Sequence, residues 1–113
     1  MKGIGVDIVE FERILAIKNR EKFVDKILNK KEIAVYATII NKQRRLEYLA
    51  GRFAVKEALY KADNLACAGQ KFTDFAILND SAGAPYLASP TGMTVKITIS
   101  HSKNYAVAFV VVF

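Results

Sequence analysis

One segment near the middle of the chain reads Leu46-Glu-Tyr-Leu-Ala-Gly-Arg-Phe-Ala-Val-Lys-Glu-Ala-Leu-Tyr-Lys-Ala62. It is rich in strong helix formers and contains no proline, so it predicts one long helix. Apolar residues lie on the face of Leu46, Phe53 and Tyr60 and also on much of the opposite side. We therefore expect a central helix that is buried among the other elements.

Four charged side chains interrupt the apolar surface of this helix. Arg52 and Lys56 form one seam, which we expect to reach water. Glu57 falls near the middle of an apolar face, with Lys61 one turn further along the same line. A carboxylate in such a place needs a cation, a metal ion or hydrogen-bond donors beside it. Glu57 is thus either half of an ordinary i,i+4 ion pair, or a metal ligand or acid/base residue with Lys61 holding an anion above it.

The second acidic residue that a metal site requires stands near the start of the chain, in Gly3-Ile-Gly-Val-Asp-Ile-Val-Glu10. This segment alternates and predicts a first strand, with Gly5, Asp7 and Val9 on one face. Aspartate is depleted in strands, and Gly5 leaves space for a close approach to the backbone. Asp7 is either a strand-edge aspartate that bonds a turn or the partner carboxylate of Glu57.

Length and composition limit the possible classes of protein. We interpret residues 1–113 as a single domain, because the chain is too short for two cores. The hydrophobic fraction is 52% and the mean hydropathy is +0.15, which favours oligomerisation in so short a chain. The sequence has no run of the ~18 apolar residues that a membrane span needs, and Asp7 interrupts the N-terminal segment where a signal peptide is apolar. We therefore expect a cytoplasmic protein with no membrane partner.

The net charge of +6 is concentrated in the first part of the chain. Residues 1–61 hold 14 Lys/Arg and 8 Asp/Glu, whereas residues 62–113 hold 3 of each. This pattern indicates an anionic partner, although a merely solvated basic helix face is at least as common. The single cysteine, Cys67, has no partner for an internal disulfide and is interpreted as a small buried or loop residue.

Short helices are predicted between the first strand and the central helix. Two of them, Phe11–Lys18 and Glu21–Leu28, carry a basic rim made of Arg13, Lys18, Arg20, Lys22 and Lys26. Asn29 and Glu32 have the spacing of a capping box and open a helix that runs to about Ile40. A polar interruption then places Arg44 and Arg45 at the amino end of the central helix, where exposed amides favour an anion.

The rest of the chain is predicted to be a loop followed by strands. Residues 63–71 lack periodicity, whereas residues 75–79 and 86–87 form two strands joined by a turn. Residues 95–100 alternate, and a short turn joins them to residues 105–113 in a hairpin. The last strand is apolar on both faces, which indicates a subunit contact. His101 closes the polar end of its strand and is as well explained by a structural role as by a ligand contact.

Three motifs together resemble one enzyme family. They are Gly5-Val-Asp-Ile-Val-Glu10, then Gly51-Arg-Phe-Ala-Val-Lys-Glu-Ala-Leu-Tyr-Lys-Ala62, then Ile99-Ser-His-Ser102 followed by Tyr105-Ala-Val-Ala-Phe-Val-Val-Val112. In this order they are similar to the motifs of the 4'-phosphopantetheinyl transferases, of the small trimeric holo-[acyl-carrier-protein] synthase type. The resemblance covers the whole chain and implies an α+β fold, with a largely antiparallel sheet packed against a long central helix in a trimer.

The resemblance also implies a reaction and a set of site residues. The implied enzyme transfers the phosphopantetheine arm of coenzyme A to a serine of apo-acyl carrier protein and releases adenosine 3',5'-bisphosphate. Asp7 and Glu57 match the Mg²⁺ ligands, and Lys61 matches a phosphate-binding residue of the catalytic site. The positions that match the nucleotide end of coenzyme A are Arg44, Arg45, Arg52, Gly83, Pro85 and His101. The basic rim matches the surface that docks the acidic carrier protein.

One segment departs from the family pattern. Family members usually follow the motif lysine with a short Gly-rich turn, whereas Lys61-Ala62 is followed here by Asp63-Asn-Leu-Ala-Cys-Ala-Gly69. The sequence leaves the proton acceptor open between Glu57, a metal-bound hydroxide and another acid. Two other functions are weighed. One is a small basic nucleic-acid-binding module, but this chain lacks the exposed aromatic residues along a basic stripe that stack on bases in such modules. The other is a non-catalytic scaffold of the same fold, which is favoured only by the altered segment after Lys61.

Overall fold

A computed structural model describes all 113 residues as an α+β structure. Its elements in chain order are β1 (Gly3–Glu10), α1 (Phe11–Leu15), α2 (Arg20–Ile27), α3 (Lys30–Thr38), α4 (Lys42–Ala62), α5 (Asn64–Cys67), a 3-10 turn (Phe72–Asp74), β2 (Ala76–Asn79), β3 (Pro85–Ser89), β4 (Val95–His101) and β5 (Tyr105–Val112). The predicted helices and strands are therefore present, with small differences at their ends.

The central helix α4 begins one turn before the predicted start at Leu46. Asn41 caps it, because the Asn41 side chain accepts a hydrogen bond from the amide of Arg44 at 3.0 Å. The polar residues that were expected to separate the two helices thus form the first turn of α4. The predicted capping box of Asn29 and Glu32 is confirmed at the start of α3.

A three-stranded antiparallel sheet with the order β1-β5-β4 packs one face against α4. The glycines of β1 allow a direct contact between the two backbones. A Cβ atom on Gly3 would lie 1.7 Å from the carbonyl oxygen of Ala62, and one on Gly5 would lie 2.0 Å from that of Ala58. The predicted close approach at Gly5 is therefore made by α4 itself. Ala106 and Ala108 of β5 are fully buried on the same face of the sheet.

The other face of the sheet exposes a patch of apolar side chains. Ile4, Val6 and Ile8 of β1 are each about half exposed, at 51%, 51% and 53%. Val6 pairs across the strands with Phe109 of β5, which is 38% exposed. Exposed apolar side chains that lie next to one another on a surface are typical of a protein–protein contact. We call these residues the apolar sheet face.

The prediction that Arg52 and Lys56 form a seam open to water is wrong. Arg52 is only 6% exposed and Lys56 is fully buried. The Lys56 ammonium donates to the Glu32 carboxylate at 2.5 Å and to the Ile27 carbonyl at 2.6 Å. Burial lowers the pKa of Lys56, and the charge of Glu32 opposes that shift. An ion pair between α3 and α4 is thus enclosed in the core.

The second half of the chain differs from the sequence analysis at one segment. Residues 63–71 were predicted to be a loop, but Asn64–Cys67 form α5, whose first turn is capped by the Asp63 carboxylate through the amide of Ala66. The strand pair is confirmed as the antiparallel hairpin β2–β3. Cys67 is buried and free, as expected. No helix has the length and apolar character that crossing a membrane requires.

Candidate active site

Lys61 joins the first and second sequence motifs. Its ammonium donates to the Asp7 carboxylate at 2.9 Å and to the Val6 carbonyl at 3.2 Å. The Asp7 side chain is 17% exposed and the Lys61 side chain 56% exposed, so the pair lies at the surface. Asp7 reaches this position because the glycines of β1 bring the strand against α4. We call Asp7, Glu57 and Lys61 the acid-pair site.

Glu57 belongs to the acid-pair site by its position on α4. It lies four residues before Lys61, and residues four apart share one face of a helix. Glu57 is partly exposed instead of buried, and its carboxylate forms no hydrogen bond or ion pair within the chain. The i,i+4 ion pair of Glu57 with Lys61, one of the two alternatives for Glu57, is therefore absent, because Lys61 turns to Asp7. This leaves Glu57 free to bind a ligand.

A second group of predicted residues lines a cleft of about 260 Å³ between α4, β4 and the β2–β3 turn. We call it the His101 cleft. Its predicted residues are Arg44, Arg52, Gly83, Pro85 and His101, and its further polar residues are Glu47, Tyr48 and Asn79. Gly51 lets β4 approach, because a Cβ atom there would lie 3.3 Å from the Ile99 side chain. The His101 imidazole consequently stands 3.5 Å from the Glu47 carboxylate.

Arg52 is fixed at the wall of the His101 cleft by three contacts. It donates from Nε to the Ile77 carbonyl at 3.1 Å and from a terminal nitrogen to the Asn79 amide oxygen at 3.0 Å. Its guanidinium lies 4.2 Å from the centre of the Tyr48 ring. Burial lowers the pKa of Arg52. The guanidinium N–H groups that are not used in these contacts can donate two hydrogen bonds to one anion. Sequence reasoning missed the supporting residues Tyr48 and Asn79, since neither carries a charge.

Arg45 does not line the His101 cleft. It lies in a separate cavity of about 420 Å³, which we call the Arg45 cavity, together with Arg20, Tyr36, Lys42, Leu46 and Leu49. Neighbouring residues on a helix point about 100° apart, and this angle separates Arg45 from Arg44. The Arg45 guanidinium lies 4.2 Å from the centre of the Tyr36 ring.

The basic rim lies on α1, α2 and the turn between them. Four of its residues are exposed, whereas Arg20 is partly buried. None of the five forms an ion pair. Exposed acids are interleaved with them, namely Glu10, Glu12, Glu21 and Asp25. The surface therefore carries charges of both signs. The net charge of residues 1–61 does not reveal this mixture.

Comparison with known proteins identifies the family. The family model of the 4'-phosphopantetheinyl transferase superfamily matches residues 3–110. The chain belongs to this superfamily. A holo-[acyl-carrier-protein] synthase of Acholeplasma laidlawii is 50% identical to this transferase over 111 residues, which cover 96% of this chain and 93% of the relative. The corresponding enzyme of Halalkalibacterium halodurans is 42% identical over 111 residues, with 96% and 92% covered.

A solved structure has the same fold as this transferase. It is a holo-(acyl-carrier-protein) synthase from Bacillus anthracis in complex with CoA (3',5'-ADP), with a TM-score of 0.84 and 40% sequence identity. The match covers 98% of this chain and 95% of that chain. The predicted family and fold are therefore confirmed.

Proposed function

We propose that this transferase moves the 4'-phosphopantetheine arm of coenzyme A to a serine of apo-acyl carrier protein. The serine oxygen attacks the phosphorus nearest the pantetheine, and the bond from that phosphorus to the bridging oxygen breaks. Adenosine 3',5'-bisphosphate leaves, and the serine proton passes to a base. The names of the relatives and the coenzyme A complex of the Bacillus anthracis enzyme support this reaction.

The observation that carries the proposal is the contact of Lys61 with Asp7, which brings together two motifs 54 residues apart. A diphosphate needs positive charge around its oxygens while charge moves to the leaving group. Lys61 is exposed and has its ammonium at the site, so it can turn from Asp7 to a phosphate oxygen. Glu57 and Asp7 then remain as the two carboxylates, and either can lie within reach of the attacking hydroxyl.

The acid-pair site fits a Mg²⁺ ion. Mg²⁺ prefers oxygen ligands and usually takes only one or two carboxylates, with substrate phosphates and water completing its shell. Asp7 and Glu57 supply two carboxylates, and Glu57 has no other partner in the chain. A bound Mg²⁺ would supply charge neutralisation for the diphosphate.

The His101 cleft is proposed to hold the nucleotide end of coenzyme A. Arg44 and Arg52 supply positive charge, and Gly83 of the β2–β3 turn and Pro85 at the start of β3 line the same cleft. Glu57 lies five residues after Arg52 and thirteen residues after Arg44 on α4. At about 100° per residue, the Glu57 side chain points about 140° away from each of these arginines around the helix. At about 1.5 Å per residue, it also lies ~20 Å from Arg44 along the helix axis. The cleft and the acid-pair site thus lie on opposite sides of one helix.

This separation supports an active site shared between copies of the chain. Asp7 belongs to β1 and His101 to β4, which are the two opposite edges of the sheet. When one surface of a chain binds a different surface of the next copy, the copies form a closed ring if the rotation between neighbours divides a full turn evenly. We propose a homotrimeric ring in which the His101 cleft of one chain faces the acid-pair site of its neighbour. The apolar sheet face is the surface that such an assembly would bury.

The basic rim is proposed to dock the acidic carrier protein. It follows β1 directly, so a carrier bound there can present its serine close to Asp7. Arg13, Lys18, Lys22 and Lys26 are exposed and free of ion pairs. A free thiol at Cys67 suits a reducing compartment, and we place the reaction in the cytoplasm.

The reaction is tested by following both products. The protein is incubated with coenzyme A, Mg²⁺ and an apo-acyl carrier protein, and released adenosine 3',5'-bisphosphate is measured by liquid chromatography. We expect one nucleotide for each carrier molecule that is modified. A carrier with its acceptor serine changed to alanine is the matched control and should release none. Nucleotide release at the same rate from both carriers would mean hydrolysis of coenzyme A instead of transfer.

A further inference from the structure

We infer that Lys61 makes cation binding at the acid-pair site depend on coenzyme A. In the chain alone, the Lys61 ammonium competes with a divalent cation for the Asp7 carboxylate. A diphosphate draws the ammonium away from Asp7, so the cation and coenzyme A strengthen each other's binding. This inference rests on the proposed function, because it concerns the same cation and the same diphosphate.

The contacts of Lys61 place its positive charge directly on the Asp7 carboxylate. The ammonium lies 2.9 Å from one Asp7 carboxylate oxygen and 3.2 Å from the Val6 carbonyl oxygen. These acceptors belong to neighbouring residues of β1, so one ammonium bridges both. Asp7 forms no other ion pair within the chain. Lys61 is therefore the only cationic partner of Asp7.

A divalent cation bound to Asp7 would lie close to the Lys61 ammonium, and like charges repel. Water screens this repulsion only in part, because the Asp7 side chain is 17% exposed. Glu57 has no ion-pair partner, but a single carboxylate holds Mg²⁺ weakly unless substrate phosphates complete the shell. The chain alone should consequently have a low affinity for the cation.

Lys61 can leave Asp7 at little cost. Its side chain is 56% exposed, and an ion pair with one exposed partner contributes little to stability. The oxygens of a diphosphate can replace the acceptors that the ammonium gives up on β1. Two ligands that favour the same arrangement of a site bind cooperatively, and the coupling is the same in both directions.

The test uses Mn²⁺, which takes the same oxygen ligands as Mg²⁺ and can be followed by electron paramagnetic resonance without any turnover. In the absence of coenzyme A, Lys61→Gln should bind Mn²⁺ at least about fivefold more tightly than the unchanged protein. An exposed ion pair is worth up to about that factor, and relief of the repulsion adds to it. Saturating coenzyme A should then tighten Mn²⁺ binding by a smaller factor in Lys61→Gln. Mn²⁺ binding to coenzyme A alone is measured separately.

Two further variants separate the contact with Asp7 from a general effect of charge. Lys31→Gln removes one positive charge from an exposed residue of α3 that forms no ion pair, so it should leave the Mn²⁺ affinity unchanged. Asp7→Asn should weaken Mn²⁺ binding, and adding Lys61→Gln to it should bring no gain, because the contested carboxylate is gone. Thermal unfolding checks that every variant is folded.

The inference is overturned if Lys61→Gln binds Mn²⁺ no more tightly, if Lys31→Gln gains as much, or if the gain persists beside Asp7→Asn. It is also overturned if coenzyme A tightens Mn²⁺ binding by the same factor with and without Lys61. In each of these cases the metal site stands as long as Asp7→Asn weakens binding. If Asp7→Asn leaves the Mn²⁺ affinity unchanged even with coenzyme A, the proposed metal site itself is wrong and the inference fails with it.

Discussion

Tyr48 is a residue whose contacts join the core to the His101 cleft. Its ring lies beneath the Arg52 guanidinium, and its hydroxyl donates to the Glu32 carbonyl at 3.3 Å. Burial raises the pKa of Tyr48 to about 12, and the nearby charge of Arg52 opposes this shift. Neutral Tyr48 is therefore part of the folded state, and ionising it would add a further charge to a core that already holds Glu32, Arg52 and Lys56.

The raised pKa of Tyr48 predicts a loss of stability at alkaline pH. An unfolded tyrosine loses its proton near pH 10, whereas folded Tyr48 keeps it to about pH 12. Between these values the unfolded state binds fewer protons, so the free energy of unfolding falls as pH rises, by at most about 3 kcal/mol. Urea unfolding of the protein and of Tyr48→Phe should show a smaller alkaline loss in the variant. Identical losses would show that Tyr48 does not titrate in this way.

At the scale of elements, the Lys56–Glu32 pair ties three helices and a strand together. Glu32 accepts from Lys56 at 2.5 Å and from the amides of Asn29 and Ile77 at 2.8 and 2.9 Å. Lys56 in turn donates to the last residue of α2, Ile27. The orientation of α4, and hence the direction in which Glu57 and Lys61 point, is set in part by this buried network.

Lys56→Met should destabilise the protein by about 3–5 kcal/mol, because it leaves the buried Glu32 carboxylate without its cation. Adding Glu32→Gln should recover part of the loss, since the amide is uncharged and its oxygen can still accept from one of the two backbone N–H groups. The free energies of unfolding of the two variants, from denaturant titrations, check this. If the double variant is no more stable than Lys56→Met, the cost does not come from an uncompensated charge.

The same pair shows where sequence reasoning ends. Strict alternation predicts β1 and β4, a continuous apolar run indicates β5, and Asp7 stands out because aspartate is unusual in a strand. The apolar circumference of α4 offers no such guide: its pattern predicts Lys56 towards water and Glu57 towards the core, the reverse of what the structure shows. The partner of Lys56 lies 24 residues away on another helix, and no local pattern reveals such a contact. Arg44 and Arg45 were likewise adjacent in sequence but face different cavities.

The basic rim on α1 and α2 predicts a selective effect of charge reversal. Arg13→Glu should raise the KM for carrier protein several-fold and leave the KM for coenzyme A nearly unchanged, because no residue of the basic rim lines the His101 cleft. The effect should shrink as salt screens the attraction. Lys31→Glu, at an exposed site on α3, is the matched control. If both KM values rise together in Arg13→Glu, the rim belongs to the nucleotide site; if neither changes, it is a solvated surface.

At the scale of the whole molecule, the ring arrangement predicts complementation between inactive variants. Glu57→Gln disables the acid-pair site, and Arg44→Glu disables the His101 cleft. In a mixed trimer, the intact cleft of a Glu57→Gln chain can face the intact acid-pair site of an Arg44→Glu chain. Mixing the two variants should therefore restore activity. Mixing Glu57→Gln with Asp7→Asn is the control and should restore nothing, since every acid-pair site is then defective. Sedimentation should show a trimer in each case. A stable monomer at micromolar concentration, or no recovery from the first mixture, would contradict a shared active site.

The most direct measurement is the mass of the acyl carrier protein after incubation with coenzyme A and this protein, with and without Mg²⁺. We predict that the protein adds one phosphopantetheine arm only when Mg²⁺ is present. The control is Glu10→Gln, which removes an exposed carboxylate from β1, the strand that carries Asp7. Like the unchanged protein, it should add one arm only when Mg²⁺ is present. Asp7→Asn and Glu57→Gln should add no arm although both remain folded. Full transfer by either of these two variants, at an unchanged dependence on Mg²⁺, would contradict the assignment of the acid-pair site.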